Sequence, residues 1–218
     1  FAYNLLSAVM SVIAVLFFAL SLIQLGFKHY LFAAFAFAFT PVVFISSTYT
    51  IDYVLTMAFV MGSFNFLLKE KILFAGILLG LAIGFRVTSG AMLIPFCILL
   101  FPISKNLKGV LILTFTTGLV GFLTYLPVIH TYGFSFFTYA DQFLYPNLPK
   151  VFYKATIGVF GAVGLFTIIF FSAIVLTRKI LPKEKMVVSE MPVKLFWASV
   201  AVISIYIISY LRLPQKSA

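Results

Sequence analysis

Two apolar segments flank a single arginine in residues 72–101, which read ILFAGILLGLAIGFRVTSGAMLIPFCILLF. The segments before and after the RVTS turn contain only about 14 and 12 residues. An α-helix of that length extends roughly 20 Å, whereas crossing the hydrocarbon core of a bilayer takes about 30 Å. This stretch therefore predicts a short apolar hairpin whose charged turn lies below the membrane surface.

The rest of the chain has the composition of a membrane protein. Hydrophobic residues make up 63% of the 218 residues and charged residues 9%, a balance that a water-soluble domain of this size does not have. Apolar stretches near the length that crosses a bilayer recur along the chain, without the polar alternation of barrel strands. We expect an all-α polytopic transmembrane helical bundle of about eight spans, forming a single domain over residues 1–218. The predicted spans are residues 3–27, 30–47, 51–68, 72–85, 90–101, 109–129, 155–177 and 195–211.

The basic residues predict the orientation of this bundle. The formal net charge is +10, but the cations lie in short loops between spans, which favours membrane lipids rather than nucleic acid as the partner. Ten of the 15 Lys and Arg residues fall on one side of the predicted spans, and the positive-inside rule makes that side cytoplasmic. Residues 178–194 then form a cytoplasmic linker, and the aromatic-rich residues 131–154 form an outer loop that lies along the membrane surface.

Arg86 is the first candidate for a functional residue, because an ionisable group inside a membrane span is costly. Its guanidinium suits bidentate phosphate binding, and Thr88 and Ser89 beside it offer hydroxyl groups. An anionic lipid headgroup is the natural ligand. Two structural alternatives remain open: Arg86 extends to ordinary headgroups, or it pairs with Asp52.

Asp52 is the second candidate, since it begins the third predicted span at the outer interface. The helix dipole favours an anion there, and the alternative is that Asp52 only caps its helix. His130 closes the sixth predicted span, and Asp141 lies in the outer loop. A lone His and a lone Asp do not predict a metal site, and a single cysteine, Cys97, excludes a disulfide framework.

Glycines recur every fourth residue at Gly76, Gly80 and Gly84. This spacing places them on one face of a helix, which is typical of close helix packing in membranes.

Four short motifs follow one another along the chain: Asn4-Leu5-Leu6-Ser7-Ala8, Pro41 with Ser46-Ser47 and Asp52, residues 75–82 followed by Arg86, and Leu211-Arg212-Leu213-Pro214. Their order resembles the GT-C superfamily of membrane glycosyltransferases, in particular the dolichyl-phosphate-mannose-protein mannosyltransferases and bacterial lipid-linked sugar transferases. The resemblance implies that the principal catalytic acid lies in a first outer loop preceding Phe1, and that further helices follow the chain, so that this is a fragment of a longer protein.

The resemblance implies transfer of a sugar from a polyprenyl-phosphate carrier to an acceptor at the outer face, by direct displacement at the anomeric carbon. Arg86 then binds the phosphate and Asp52 is a supporting carboxylate. The acceptor is a protein, lipid or glycan that the sequence does not identify, and its pocket would be shaped by Tyr49, His130 and the outer loop that contains Asp141. No cofactor is identified, and a divalent metal stays an open alternative.

Two other functions remain open from the sequence. A secondary transporter or permease would use Asp52 and Arg86 to line a pathway, although such proteins are expected to have ionisable groups near the middle of the bilayer and matching interrupted helices in two halves. A non-catalytic lipid-binding relative of the glycosyltransferases is the third reading. All three predict a multi-pass integral membrane protein; the first places the active face outside the cytoplasm, in a prokaryote on the cell membrane.

Overall fold

A computed structural model of the chain describes residues 2–48, 52–104 and 107–133, together with positions 149, 166, 169–170, 194–195 and 197–205. These residues are helical or lie in turns between helices, and no strand occurs among them, which confirms the all-α prediction. The outer loop, the cytoplasmic linker and the predicted span 155–177 fall largely outside the described residues, as does the end of the predicted span 195–211. The helices are α1 (Ala2–Gln24), α2 (Tyr30–Ala38), α3 (Pro41–Thr48), α4 (Asp52–Leu68), α5 (Ile72–Phe85), α6 (Leu93–Ser104), which follows a 3-10 turn (Val87–Met92), and α7 (Leu107–Tyr132).

Two of these helices are long and apolar enough to cross a membrane, Asn4–Gln24 in α1 and Leu107–Tyr132 in α7. The helices α2 and α3 together would make a third span, although they are bent by 57°. The helices α4 and α5 are apolar but have only 17 and 14 residues. Six of the eight predicted spans lie within residues 2–133, and only two or three of them are long enough to cross a membrane. The prediction of about eight spans is therefore not met by helices of full length among the described residues.

The bend between α2 and α3 explains why residues 30–47 do not form one straight helix. Pro41 has no backbone N–H and occupies the first position of α3, where proline is tolerated but cannot continue a preceding helix. The Thr40 hydroxyl donates to the Ala36 carbonyl at 2.8 Å, while the Thr40 carbonyl accepts from the N–H groups of Val43 and Phe44 at 2.9 and 3.0 Å. One helix therefore ends and the next begins around Thr40.

A tight turn makes α4 and α5 an antiparallel hairpin. Glu70 adopts a φ of 59°, and the N–H groups of Glu70 and Lys71 donate to the carbonyls of Leu67 and Phe66. Across the hairpin, the buried Ser63 hydroxyl donates to the Ala75 carbonyl at 2.7 Å. The hairpin thus brings the first residue of α4 and the last residues of α5 to the same end of the molecule.

The glycine face of α5 packs against α7, as the spacing predicted. Beta carbons built at Gly80 and Gly84 would lie 2.6 Å from Val120 and 2.7 Å from Thr124, respectively. The Thr117 hydroxyl also donates to the carbonyl of Gly76 at 3.3 Å. Because the contacts advance in the same direction along both helices, α5 and α7 run parallel with closely approaching backbones.

Large apolar side chains cover the outside of the bundle. Phe32, Phe35 and Phe115 are 79%, 62% and 69% exposed, whereas soluble monomers rarely expose extended apolar surfaces. Such a surface is consistent with a membrane protein. A smaller core lies inside, formed by Leu67, Ala75, Leu79, Phe96, Leu99, Leu100, Leu113 and Ala198.

Candidate functional site

Asp52 and Arg86 meet at the open end of the α4–α5 hairpin. Asp52 is the first residue of α4, and Arg86 directly follows α5. Their side chains form an ion pair in which Nη1 of Arg86 lies 3.5 Å from Oδ2 of Asp52. The structure therefore brings together the two ionisable residues that the sequence singled out.

The backbone of Arg86 changes direction between α5 and the following turn. Its N–H still donates to the Ala82 carbonyl at 3.0 Å, but its φ of −148° and ψ of 116° are extended. The Arg86 carbonyl accepts from both the N–H and the hydroxyl of Ser89, at 3.0 and 2.7 Å. These bonds fix the turn from which the guanidinium extends.

Ser89 and Thr88 differ in what they offer a ligand. Ser89 is only 7% exposed, and its hydroxyl donates a hydrogen bond to the Arg86 carbonyl. The hydroxyl therefore has no second hydrogen to donate to an anionic ligand. Thr88 is exposed beside it. Direct contact of either side chain with a ligand stays a prediction.

Tyr53 is a site residue that the sequence reading did not single out. The Cζ atom of Arg86 lies 3.7 Å from the centroid of the Tyr53 ring, within the range of a cation–π interaction. Its position next to Asp52 was visible in the sequence, but the contact of its ring with Arg86 depends on how the antiparallel helices α4 and α5 are aligned along their length. Two consecutive residues at the start of α4, Asp52 and Tyr53, thus contact one guanidinium.

The Asp52–Arg86 pair is accessible rather than enclosed. The side chains of Arg86 and Asp52 are 28% and 47% exposed, and ion pairs exposed to water contribute only about 0–1 kcal/mol to stability. Among the described residues, the Arg86 side chain is in contact with one carboxylate and one ring. Most of its five N–H donors are therefore available to another ligand.

Tyr125 connects α7 to this site. Its hydroxyl group is hydrogen-bonded to the backbone of Val87, and it lies within electrostatic range of the Asp52 carboxylate. Val87 immediately follows Arg86 in the chain. Helix α7 therefore contacts the residue that follows Arg86.

An apolar groove of about 260 Å³ runs between α5 and α7 and reaches this turn. Gly118 leaves room for it, because a β carbon at that position would meet no atom within 4 Å. Its walls contain no charged residue, and they include Val87, which is next to Arg86 in the chain. The groove is lined by Ile83, Val87, Thr117, Gly118, Gly121, Phe122, Tyr125 and Ile129.

The other predicted site residues are only partly placed. His130 is exposed in the last turn of α7, at the same end of the bundle as Arg86 because α5 and α7 are parallel. Tyr49 and Asp141 lie outside the described residues. Within the part of the chain that the structure describes, no group of three or more His, Cys, Asp and Glu side chains is arranged to hold a metal ion.

Comparison of the chain with models of protein families, with curated proteins and with solved structures finds no match. The resemblance to membrane glycosyltransferases therefore stays a proposal, and function is inferred from the chemistry of the site.

Proposed function

We propose that this chain is part of a multi-pass GT-C-type glycosyltransferase that moves a sugar from a polyprenyl-phosphate carrier to an acceptor at the outer membrane face. The observation that carries the proposal is the position of Arg86. It is a partly exposed guanidinium with unfilled donors, and the residue after it lines an apolar groove. A cation beside such a groove matches an amphiphile with an anionic head.

Arg86 is suited to a phosphate group. Its contact with Asp52 is a single one at 3.5 Å, longer than the roughly 2.7–3.2 Å of a good N–H···O hydrogen bond. A phosphate that accepts two parallel bonds from the guanidinium would interact more strongly than this carboxylate does. The ion pair is therefore a weak competitor for an anionic ligand.

The groove suits the chain of the same lipid. Ligand pockets commonly enclose about 300–1,000 Å³, so 260 Å³ accommodates part of a flexible hydrocarbon chain while the remainder lies in the bilayer. Phe122, Ile129 and Val87 provide apolar walls, and Val87 directly follows the proposed phosphate-binding residue. Head and tail of one carrier lipid would thus be bound by adjacent residues.

The reaction needs a cationic group at the leaving phosphate and a carboxylate at the acceptor. The acceptor oxygen attacks the anomeric carbon, the bond between that carbon and the phosphate oxygen breaks, and a carboxylate takes the acceptor proton. Arg86 would stabilise the negative charge on the departing phosphate. Asp52 would orient the acceptor or the principal acid, which the family resemblance places upstream of this chain.

The short helices also fit this function. We include α4, α5 and the segment Val87–Leu100 in a bundle of about eight membrane-inserted segments, although they are shorter than full spans. A hairpin shorter than the bilayer would hold Arg86 in a recess below the outer surface, where carrier headgroups are within reach. Tyr49, His130 and Asp141 stay candidates for the acceptor pocket.

Transfer by the full-length protein tests this proposal. With a polyprenyl-phosphate sugar as donor, Arg86→Ala should lower the rate at least 100-fold, since a stabiliser of transition-state charge is typically worth about 10²–10³ in rate. Lys71→Ala is the matched control, because Lys71 is an exposed cation at the other end of the same hairpin. Equal rates in wild type and both variants would refute the role of Arg86.

Measurements of carrier binding and of vesicle transport with the same proteins separate the alternatives. A non-catalytic lipid-binding relative would bind the carrier phosphate through Arg86 but transfer no sugar. A permease would move its substrate across vesicles without consuming the lipid-linked donor.

A further inference from the structure

We infer that Tyr53 is a positioning residue of the phosphate site, holding the face of the Arg86 guanidinium so that its edge can exchange the Asp52 carboxylate for a lipid phosphate. This inference rests on the proposed function and extends it to a residue that has no role in it so far.

The geometry separates two ways of contacting the guanidinium. Tyr53 contacts its flat face, with Cζ 3.7 Å from the ring centroid. Asp52 contacts one nitrogen at the edge, at 3.5 Å. Because hydrogen bonds form in the guanidinium plane, a ligand that takes the edge from Asp52 leaves the ring contact in place.

Both partners of this stack are held by their backbones. Tyr53 lies in the first turn of α4, where the Thr56 hydroxyl donates to the Asp52 carbonyl at 2.9 Å and the neighbouring Val54 is 1% exposed. The Arg86 carbonyl accepts both bonds from Ser89. The ring therefore restricts the guanidinium to one plane between two fixed segments.

This restriction matters because a free arginine side chain loses rotamer freedom when it binds an anion. A guanidinium already held in plane loses less, and binding is correspondingly tighter. The exchange also frees Asp52, whose carboxylate can then accept a hydrogen bond from the acceptor. Phosphate binding and release of the carboxylate become one event.

The test uses farnesyl phosphate as the probe and the full-length protein purified in detergent. Tyr53→Leu removes the ring, and Tyr53→Phe keeps it. Because cation–π contacts of partly exposed groups are modest, we expect Tyr53→Leu to weaken binding of farnesyl phosphate by about 3- to 10-fold, and Tyr53→Phe to bind within about 2-fold of wild type. Phe32→Leu, at an exposed aromatic on α2, is the control.

Farnesol distinguishes positioning from a general structural defect, because it fits the groove but has no phosphate. Farnesol binding should be unchanged in Tyr53→Leu, whereas distortion of the site would weaken both ligands. Tyr53 is 55% exposed, so its replacement should leave folding intact; Tyr53→Gln provides a second ring deletion.

The outcomes separate this inference from the proposed function. If farnesyl phosphate binds to wild type only as well as farnesol does, or binds equally to Arg86→Ala, the proposed function fails. If binding depends on Arg86 but ring-deleted variants bind as wild type does, only the role of Tyr53 is overturned. If Tyr53→Phe loses as much as Tyr53→Leu, the hydroxyl and not the ring matters, which also overturns it.

Discussion

Replacing Gly80 by alanine tests the packing of α5 against α7, on which the position of Arg86 depends. A β carbon at Gly80 would lie 2.6 Å from Cβ of Val120 and 3.0 Å from the Thr117 backbone oxygen. Carbon atoms make their best contact at about 3.5–4.0 Å, so the two helices would have to separate by about 1 Å. Because the Thr117 contact is with backbone, a change of side-chain rotamer does not relieve it.

The expected cost follows from two opposing effects. Overpacking of this kind destabilises by about 1–3 kcal/mol, while alanine is favoured over glycine in a helix by up to about 1 kcal/mol. We therefore expect a net loss of about 1–2 kcal/mol, which for a chain of this size lowers the unfolding midpoint by about 2–8 °C. Circular dichroism during heating in mild detergent measures it.

Gly118→Ala is the matched control on the facing helix. A β carbon there meets no atom within 4 Å, so only the gain in helix propensity applies and the midpoint should stay the same or rise. Equal midpoints for Gly80→Ala and Gly118→Ala would refute the close α5–α7 contact.

Three further substitutions test the site and the hairpin. Asp52→Asn removes the carboxylate that competes for Arg86, so farnesyl phosphate should bind as tightly as in wild type or more tightly while sugar transfer falls; weaker binding would show that the ion pair builds the site. Tyr125→Phe removes the hydrogen bond to the Val87 backbone, which should cost about 0.5–1.5 kcal/mol of stability in thermal unfolding, and an unchanged midpoint would contradict that contact. Ser63→Ala removes the buried bond to the Ala75 carbonyl, and we expect thermal unfolding to register a loss of about 0.6 kcal/mol, the average for hydrogen bonds between membrane helices, and at most about 1.7 kcal/mol; no loss would argue against this pairing of α4 with α5.

Local patterns in the sequence correctly predicted features that depend on a single helix. The four-residue glycine spacing predicted a packing face because the helical period alone places Gly76, Gly80 and Gly84 together. The pairing of Asp52 with Arg86 was left open as one of several interpretations of Arg86. Opposite charges suggest a pair, but the sequence does not show how α4 and α5 are aligned along their length. The hairpin turn at Glu70 sets that alignment.

Features that depend on more than one element were not predictable from patterns of apolar residues. Residues 30–47 read as one span, but proline at position 41 starts a new helix and produces the 57° bend. Ser89 was predicted to offer its hydroxyl to a ligand, but that hydroxyl donates its hydrogen bond to the carbonyl of Arg86. Tyr53 was missed because only the arrangement of α4 against α5 places its ring on the guanidinium.

The most direct test of a lipid-phosphate site at Arg86 is photo-cross-linking of the full-length protein with a farnesyl phosphate analogue that carries a diazirine at the end of its chain. Peptide mapping should find the label on the groove walls, within residues 117–129 or at Ile83, and Arg86→Ala should reduce it strongly while Lys71→Ala should not. Labelling that is spread over the exposed faces of α1 and α2, with equal yield in all three proteins, would contradict a carrier-lipid site at Arg86.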